Sequence, residues 1–369
     1  MHILPGRMLD AKVLVVLFAG CLASVSSGEL HAGEETRQAQ IKRSNSTLFK
    51  SASPNVVFRL YTSSNADPVV VDPENNSTFA TFNFSVCCIV FCVHGYLGNE
   101  TTSGCYNISQ AILNQSSCNI ITVDWSQLDS HNYVDDALYK VHEVSDRMAE
   151  VVNVILSMGA NSSCIHLIGH SLGAHVCAFT CRKAKEPCGW LTGLDPAGPL
   201  FFCADAKCRF NASDCVFNEA IHTSATYGTF QAVAQCDLLV NYARQPWSTS
   251  PQPGCVNDIG GLCAHFYAVT LYVYAIQNNK ALVAEKCAPS LPSLPGSCRT
   301  VNCGPYPSSS TDTTYIGPLV NKSCSGVYNV NTNVPVQGYQ PDSLSFAGQI
   351  SVTNGVFDIF SNGSCYLKK

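Results

Sequence analysis

The pentapeptide Gly-His-Ser-Leu-Gly at residues 169–173 constrains the fold more than any other part of this sequence. It fits Gly-x-Ser-x-Gly, in which a serine occupies a strained turn between a strand and a helix, and flanking glycines permit close backbone contact. The pattern alone is weak, but an apolar segment (164–168) precedes it and a run of small residues (174–180) follows it. We therefore predict a strand–turn–helix with Ser171 as a candidate nucleophile. The alternative is a glycine-rich turn with an idle serine.

Strand-like and helical segments alternate along most of the chain. Apolar runs at 56–61, 86–93, 120–124 and 164–168 are separated by helical patterns, of which the longest, 133–158, has apolar residues at 3.6-residue spacing. This alternation predicts an α/β protein with a mainly parallel central sheet flanked by helices. Together with the serine turn, it predicts an α/β-hydrolase fold in a single catalytic domain.

The N-terminal residues predict export. Residues 1–27 combine basic residues, an apolar run at 13–23 and small residues at its end, as in a secretory signal peptide. A membrane anchor is disfavoured because the run is too short to span a bilayer. We interpret 28–53 as a flexible arm or pro-segment, 54–336 as the α/β-hydrolase catalytic domain and 337–369 as a short C-terminal extension.

Cysteine content and charge narrow the location and the partners. The chain has 21 cysteines, which argue against a reducing compartment and for a secreted, extracellular protein. Dense Asn-x-Ser/Thr sequons agree with a glycoprotein. A net charge of -5 argues against nucleic acid as a partner. No segment after the first 27 residues is apolar for long enough to predict a transmembrane span.

A nucleophilic serine needs a base, and the base needs an orienting carboxylate. Asp195 ends an apolar segment and would lie at the carboxyl edge of the sheet, although a turn before Pro196 explains it equally well. His265 is the preferred base because it gives the chain order Ser, Asp, His. His222 is its rival, and a structural role suits that residue better. Two further histidines lie within the predicted strand and helix and are expected to be packed: His166 and His175.

An oxyanion hole needs two backbone N–H groups. Leu172, directly after the nucleophile, supplies one. Tyr96 supplies the other from the turn after an early strand, where Gly95 permits close approach. A simple strand-ending turn is the alternative for this second segment.

The sequence now resembles the animal lipases of the pancreatic lipase family over residues 56–332. The segments that carry the resemblance are 94–96, 123–126, 165–175, 193–199, 221–223 and 252–255. The resemblance implies that Ser171, Asp195 and His265 form a catalytic triad. It also implies that Tyr96 and Leu172 form the oxyanion hole.

Two short loops distinguish this chain within that family. The segment that matches the disulfide-bounded lid, between Cys255 and Cys263, has only seven residues, and the loop between His222 and Asp237 is also short. A short lid leaves the acyl groove open to a polar headgroup and resembles the secreted phospholipase A1 branch. The implied partner is a phospholipid or other acyl lipid at a membrane or micelle surface, cleaved at its sn-1 ester. The alternatives are a triacylglycerol or galactolipid lipase, or a non-enzymatic lipid-binding or storage relative.

The calcium site of the family would align near Asn211 and Asp214, and only one of these is acidic. One carboxylate is a poor site for a hard cation, and serine hydrolysis needs no metal. We therefore expect no metal and no cofactor.

Beside the lid pair Cys255–Cys263, we expect a second disulfide between Cys105 and Cys118. A third is expected between Cys287 and Cys298. Apolar surroundings predict buried free thiols at Cys92 and Cys177.

Overall fold

The computed structural model describes residues 55–65, 67–241, 252–255, 258, 261–287, 303 and 312–336. The predicted signal peptide, arm and C-terminal extension lie outside the described residues, and the proposed domain boundaries stay predictions.

The described strands form one eleven-stranded sheet. They are β1 Val57–Tyr61, β2 Val69–Val71, β3 Ile89–Val93, β4 Asn119–Asp124, β5 Ile165–His170, β6 Trp190–Leu194, β7 Phe217–His222, β8 Cys236–Val240, β9 Val283–Lys286, β10 Thr313–Tyr315 and β11 Gly326–Val330. Their spatial order is β10-β9-β11-β8-β7-β6-β5-β3-β4-β1-β2.

The centre of the sheet is parallel, from β4 through β3, β5, β6, β7 and β8 to β11. The strands β1, β2, β9 and β10 add antiparallel margins. β3 is buried at every position, which explains why its sequence is apolar on both faces. The predicted α/β class with a mainly parallel sheet is confirmed.

Four helices of eight residues or more cover the sheet in the described part of the chain. They are α1 Cys105–Leu113, α2 Val141–Ser157, α3 Leu172–Lys183 and α4 Leu262–Gln277. A short helical turn, Tyr133–Asp135, and a π-helical turn, Asp136–Lys140, lead into α2. The apolar residues of α2 and α3 pack in one core cluster and those of α1 and α4 in another. None of the described helices is long and apolar enough to cross a bilayer.

The disulfide expected between Cys105 and Cys118 is wrong. The structure joins Cys92 to Cys105 and Cys88 to Cys118. α1 connects two parallel strands. Its first residue, Cys105, lies near the end of β3, and the segment after the helix, which contains Cys118, leads back to the start of β4. Cys105 and Cys118 therefore lie at opposite ends of the parallel strands. Cys105 meets Cys92 near the end of β3, and Cys118 meets Cys88 just before its start.

Other cysteines also depart from expectation. Cys287 pairs with Cys303 rather than with Cys298, which lies outside the described residues. Cys92 is bonded and not a free thiol, whereas Cys177 is free and buried. Further described disulfides join Cys87 to Cys164, Cys181 to Cys215, Cys236 to Cys324 and Cys255 to Cys263.

Candidate active site

Ser171 lies on the predicted turn, directly after β5 and before α3. Its φ of 57° and ψ of -122° are strained for a residue with a side chain, at a cost on the order of 1–3 kcal/mol. Both flanking glycines are required sterically. A Cβ at Gly169 would lie 2.3 Å from Gly173 O, and one at Gly173 would lie 2.3 Å from Val93 O. The turn therefore holds the serine at the carboxyl edge of the sheet.

Asp195 and His265 meet at the same edge. His265 Nδ1 lies 2.6 Å from Asp195 Oδ2, and both side chains are buried. Because a carboxylate only accepts, Nδ1 carries the proton and Nε2 keeps its lone pair. Ser171 and His265 line one cavity. This arrangement leaves the imidazole ready to accept a proton inside the cavity that holds the serine.

The carboxylate of Asp195 is fixed on its other side. Its Oδ1 accepts hydrogen bonds from the backbone N–H groups of Thr223 and Ser224 at 2.8 and 3.1 Å. A Cβ at Gly228 would lie 2.4 Å from the carboxyl atoms, so only glycine fits there. These contacts, from the loop after β7, hold the Asp195 carboxyl group in one orientation.

His170 also ties two elements of the site together. Its Nε2 lies 3.2 Å from His265 O and donates to that carbonyl. β5 therefore supports the first turn of α4, which carries His265, directly beside Ser171.

The turn that contains Tyr96 packs directly on the serine. A Cβ at Gly95 would lie 2.6 Å from Ser171 Cβ, so the backbone approaches as closely as glycine allows. Tyr96 lines the same cavity as Ser171. The N–H of Leu172 begins α3, where the first N–H groups have no partner within the helix. The two residues expected to supply the N–H donors thus both lie close to the serine.

Sequence reasoning missed the role of His94, although the residue belongs to one of the motif segments. The N–H of Trp125 donates to His94 Nε2 at 3.0 Å, so the ring proton is on Nδ1. Nδ1 then donates to Gly95 O at 2.8 Å. This bond fixes the peptide whose N–H belongs to Tyr96.

The rival histidines face other partners. Both nitrogens of His222 meet acceptors, with Nε2 2.8 Å from Asp237 Oδ1 and Nδ1 2.9 Å from Thr229 O. His166 and His175 are hydrogen-bonded to Thr192 and to the segment 197–210, respectively. The structure brings none of the three to the serine cavity.

The residues at the expected calcium position do not fit a cation. Arg182 Nε and Nη2 donate to Asp214 at 2.7 and 3.0 Å, which occupies its buried carboxylate. The same guanidinium donates to the carbonyls of Ala206, Lys207 and Arg209. A fixed positive charge therefore already lies where the carboxylate and carbonyl oxygens converge.

Two sulfur groups in the described part of the chain have metal-like spacing: Cys181, Cys188 and Cys215, and Cys255, Asp258 and Cys263. In each group two of the cysteines are joined in a disulfide, so those two sulfur atoms cannot bind a metal as thiolates. Neither group fits a metal.

A strand–turn–helix serine at the edge of a mainly parallel sheet, beside a buried His–Asp pair, defines an α/β-hydrolase fold, and that prediction is confirmed. The sequence profile described as Lipase matches residues 21–303. The chain belongs to the Lipase family, and the resemblance noted from the motifs is confirmed.

Relatives agree with this assignment. The chain is 32% identical to "Phospholipase A1 member A" of Mus musculus, over 74% of this chain and 59% of that protein. It is 32% identical to "Lipase member H" of Mus musculus over 53% of this chain and 43% of that protein. It is 28% identical to "Phospholipase A1" of Polybia paulista over 62% of this chain and 74% of that protein. The chain thus spans little more than half the length of the mammalian phospholipases A1 that it matches.

Among solved structures, a phospholipase/carboxylesterase from Dyadobacter fermentans aligns with a TM-score of 0.26 and 15% identity, over 38% of this chain and 60% of that chain. Because this TM-score is low, the fold is described from the sheet and helices of this protein alone.

Proposed function

We propose that this protein is a secreted serine esterase that hydrolyses the sn-1 acyl ester of phospholipids. Ser171 is the nucleophile, His265 the general base and Asp195 its orienting carboxylate. The observation that carries the proposal is the 2.6 Å hydrogen bond between Asp195 and His265, in a cavity that also holds Ser171 on a strained turn. Membership of the Lipase family supports the same reaction class.

The first chemical step is acylation. His265 Nε2 accepts the proton of Ser171 Oγ as that oxygen attacks the ester carbonyl. The N–H groups of Tyr96 and Leu172 donate to the oxyanion that forms on the carbonyl oxygen. His265 then donates its proton to the leaving alcohol, the lysophospholipid, as the C–O bond breaks.

The second step is hydrolysis of the acyl-enzyme. Water gives a proton to His265 Nε2 and its oxygen bonds to the acyl carbon, and the proton then returns to Ser171 Oγ as the fatty acid leaves. Asp195 orients the His265 ring and stabilises the imidazolium at each stage.

The preference for a phospholipid rests on the short lid loop beside the cavity. The disulfide Cys255–Cys263 closes a loop of only seven residues at the start of α4. One of these, Asp258, accepts hydrogen bonds from the N–H groups of Cys263 and Ala264, so it is tied to the helix that carries His265. A loop so short and so tethered is a poor cover for a long acyl groove, and a charged headgroup can lie beside the ester. The names of the phospholipase A1 relatives support this substrate class.

Extracellular action is part of the proposal. The described disulfides suit an oxidising compartment. The substrate is then met at a membrane or micelle surface.

The proposal is tested with the purified, secreted protein on phosphatidylcholine, galactolipid and triolein dispersed under matched conditions. We expect release of the sn-1 fatty acid from phosphatidylcholine, and loss of at least about 10³-fold in Ser171→Ala. Faster cleavage of triolein or galactolipid than of phosphatidylcholine would overturn the substrate assignment. Equal activity of Ser171→Ala and the wild type would overturn the nucleophile.

A further inference from the structure

The turn that carries the proposed oxyanion donor is strained. Gly98 N–H donates to Gly95 O at 3.2 Å and closes a four-residue turn over Tyr96 and Leu97. Leu97 has a φ of 52°, in the left-handed region that favours glycine. Such a conformation persists only where neighbouring contacts hold it. The direction of the Tyr96 N–H therefore depends on whatever holds Leu97.

Asp129 is the group that holds Leu97. The Leu97 N–H donates to Asp129 Oδ2 at 2.6 Å, and the Asp129 side chain is only 3% exposed. Its other oxygen, Oδ1, accepts from the N–H of His131 at 2.8 Å. One buried carboxylate, from the loop after β4, thus fixes the peptide next to Tyr96.

A second carboxyl group lies against the first. Asp136 is fully buried at the start of the π-helical turn, and its Oδ1 accepts from the N–H of Ser130 at 3.0 Å. Within the described residues no donor reaches its Oδ2, and the bond from Ser130 N–H places the carboxyl group beside the residue that follows Asp129. The side chains of Ser130 and Asp129 both act on Asp136 through hydrogen bonds. Two carboxylates at such a contact only accept, so a proton between them is required to satisfy both.

The surroundings offer little positive charge to this pair. The rings of Tyr96 and Tyr133 pack edge to face beside it, with centroids 5.3 Å apart. His131 Nδ1 lies 3.8 Å from Asp129, on a side chain that is 71% exposed, and in the described part of the chain no lysine or arginine pairs with either carboxyl. Burial raises the pKa of Asp136 to about 7; the backbone and side-chain hydrogen bonds of Ser130 oppose this shift, and the hydrogen bond and charge of Asp129 add to it.

We propose that Asp136 is a positioning residue for hydrolysis: protonated, it donates to Asp129 and thereby holds the carboxylate that fixes Leu97 and the oxyanion turn. The inference rests on the proposed function, because Tyr96 N–H matters only if Ser171 attacks an ester. When Asp136 loses its proton, two like charges repel each other in a buried place. Asp129 then moves away from Leu97, and Tyr96 N–H loses its orientation.

The first test is the pH profile of three proteins on phosphatidylcholine in micelles, from about pH 5 to about pH 9. In the wild type we expect kcat to fall several-fold as the pH rises through about 7, with KM little changed. Asp136→Asn places an amide donor beside Asp129 at every pH, so this alkaline fall should disappear. Asp135→Asn is the matched control, because Asp135 is the exposed neighbouring carboxylate, and it should follow the wild type. An alkaline fall of the same midpoint and size in Asp136→Asn and the wild type would overturn the proposal.

The second test needs no activity. A carboxyl group whose pKa is raised on folding stabilises the protein at low pH, and that stability is lost as the pH rises through the folded-state pKa. The Tm of Asp136→Asn minus that of the wild type should therefore increase from about pH 5 to about pH 9, whereas the same difference for Asp135→Asn should stay constant. A constant difference for Asp136→Asn would refute the shared proton. If the wild type hydrolyses no ester, the proposed function fails, and this measurement still decides the state of the carboxyl pair.

Should Asp136→Asn not fold, Asp129→Asn gives the same test. Its amide oxygen still accepts from Leu97 N–H, and only one carboxyl group remains. We expect the alkaline fall in kcat to disappear here as well, and an unchanged fall would contradict the proposal.

Discussion

Asp195 Oδ2 and His265 Nδ1 lie 2.6 Å apart although 70 residues separate them in the chain. The contact forms because Asp195 directly follows β6 and because α4 begins at the same edge of the sheet. The carboxylate selects the imidazole tautomer that leaves Nε2 free to accept a proton. This pair is the observation on which the proposed role of Ser171 depends most.

Replacing Asp195 by asparagine should stop turnover without disturbing the fold. The amide donates or accepts weakly at Nδ1 and permits the wrong tautomer of His265, so we expect kcat to fall roughly 10⁴-fold. The measurement is kcat on phosphatidylcholine, with circular dichroism to check that the variant is folded. A folded variant that keeps more than about a tenth of the activity would contradict the role assigned to Asp195.

Replacing His94 by alanine should lower kcat more than it raises KM. The change removes the donor to Gly95 O and loosens the peptide that carries Tyr96 N–H. Removal of a whole oxyanion donor costs about 10²–10³-fold, so a loosened one should cost roughly 10-fold or more. Kinetics measured well below the Tm separate this loss from unfolding. A rise in KM with kcat unchanged would show that His94 acts on binding instead.

Arg182 should replace a bound cation in stabilising the loop around Asp214. We expect Arg182→Met to lower the free energy of unfolding by about 2 kcal/mol, less than for a fully buried pair because the Arg182 side chain is 27% exposed. Lys140→Met is the control. Its ion pair with Glu143 is on the surface, and its loss should cost less than about 1 kcal/mol. Chelator or added calcium should leave the Tm of the wild type unchanged, and a clear calcium-dependent rise would contradict this reading.

His222 should be a buried imidazolium that stabilises the protein more at lower pH. Both of its ring nitrogens face acceptors, so both carry protons. Burial lowers its pKa, but the hydrogen bond and charge of Asp237 outweigh burial, and the net shift is upward. This stability is complete below the ordinary pKa of histidine and is lost as the pH rises through the raised value.

We therefore expect the wild type to lose Tm relative to His222→Gln as the pH rises above the ordinary pKa of histidine. The comparison is made by differential scanning calorimetry at matched ionic strength. Parallel pH curves for the two proteins would show that the ring stays neutral.

Local patterns made several strands and the serine turn predictable, whereas the triad stays a prediction. The turn is encoded within five residues because the clash of a Cβ with Val93 O or Gly173 O leaves only glycine on each side of Ser171. Chain order left both His222 and His265 as candidate bases, and His265 was preferred because a structural role suited His222 better.

Contacts between distant segments were beyond sequence reasoning. Cys105 was assigned the wrong partner because the direction of α1 relative to β3 decides which cysteines meet. Arg182 lies on α3, and nothing in its local sequence indicates that its guanidinium reaches Asp214 and three carbonyls. The bond from Leu97 N–H to Asp129 likewise joins two loops that are 32 residues apart in the chain.

The most direct test of the central claim is the site of reaction with a fluorophosphonate probe, found by mass spectrometry of the folded wild type and of Asp195→Asn. An activated serine attacks phosphorus, and an idle one does not. We predict a single adduct on Ser171 in the wild type and far slower labelling in the variant. No adduct, or an adduct on another residue, would contradict the proposed triad.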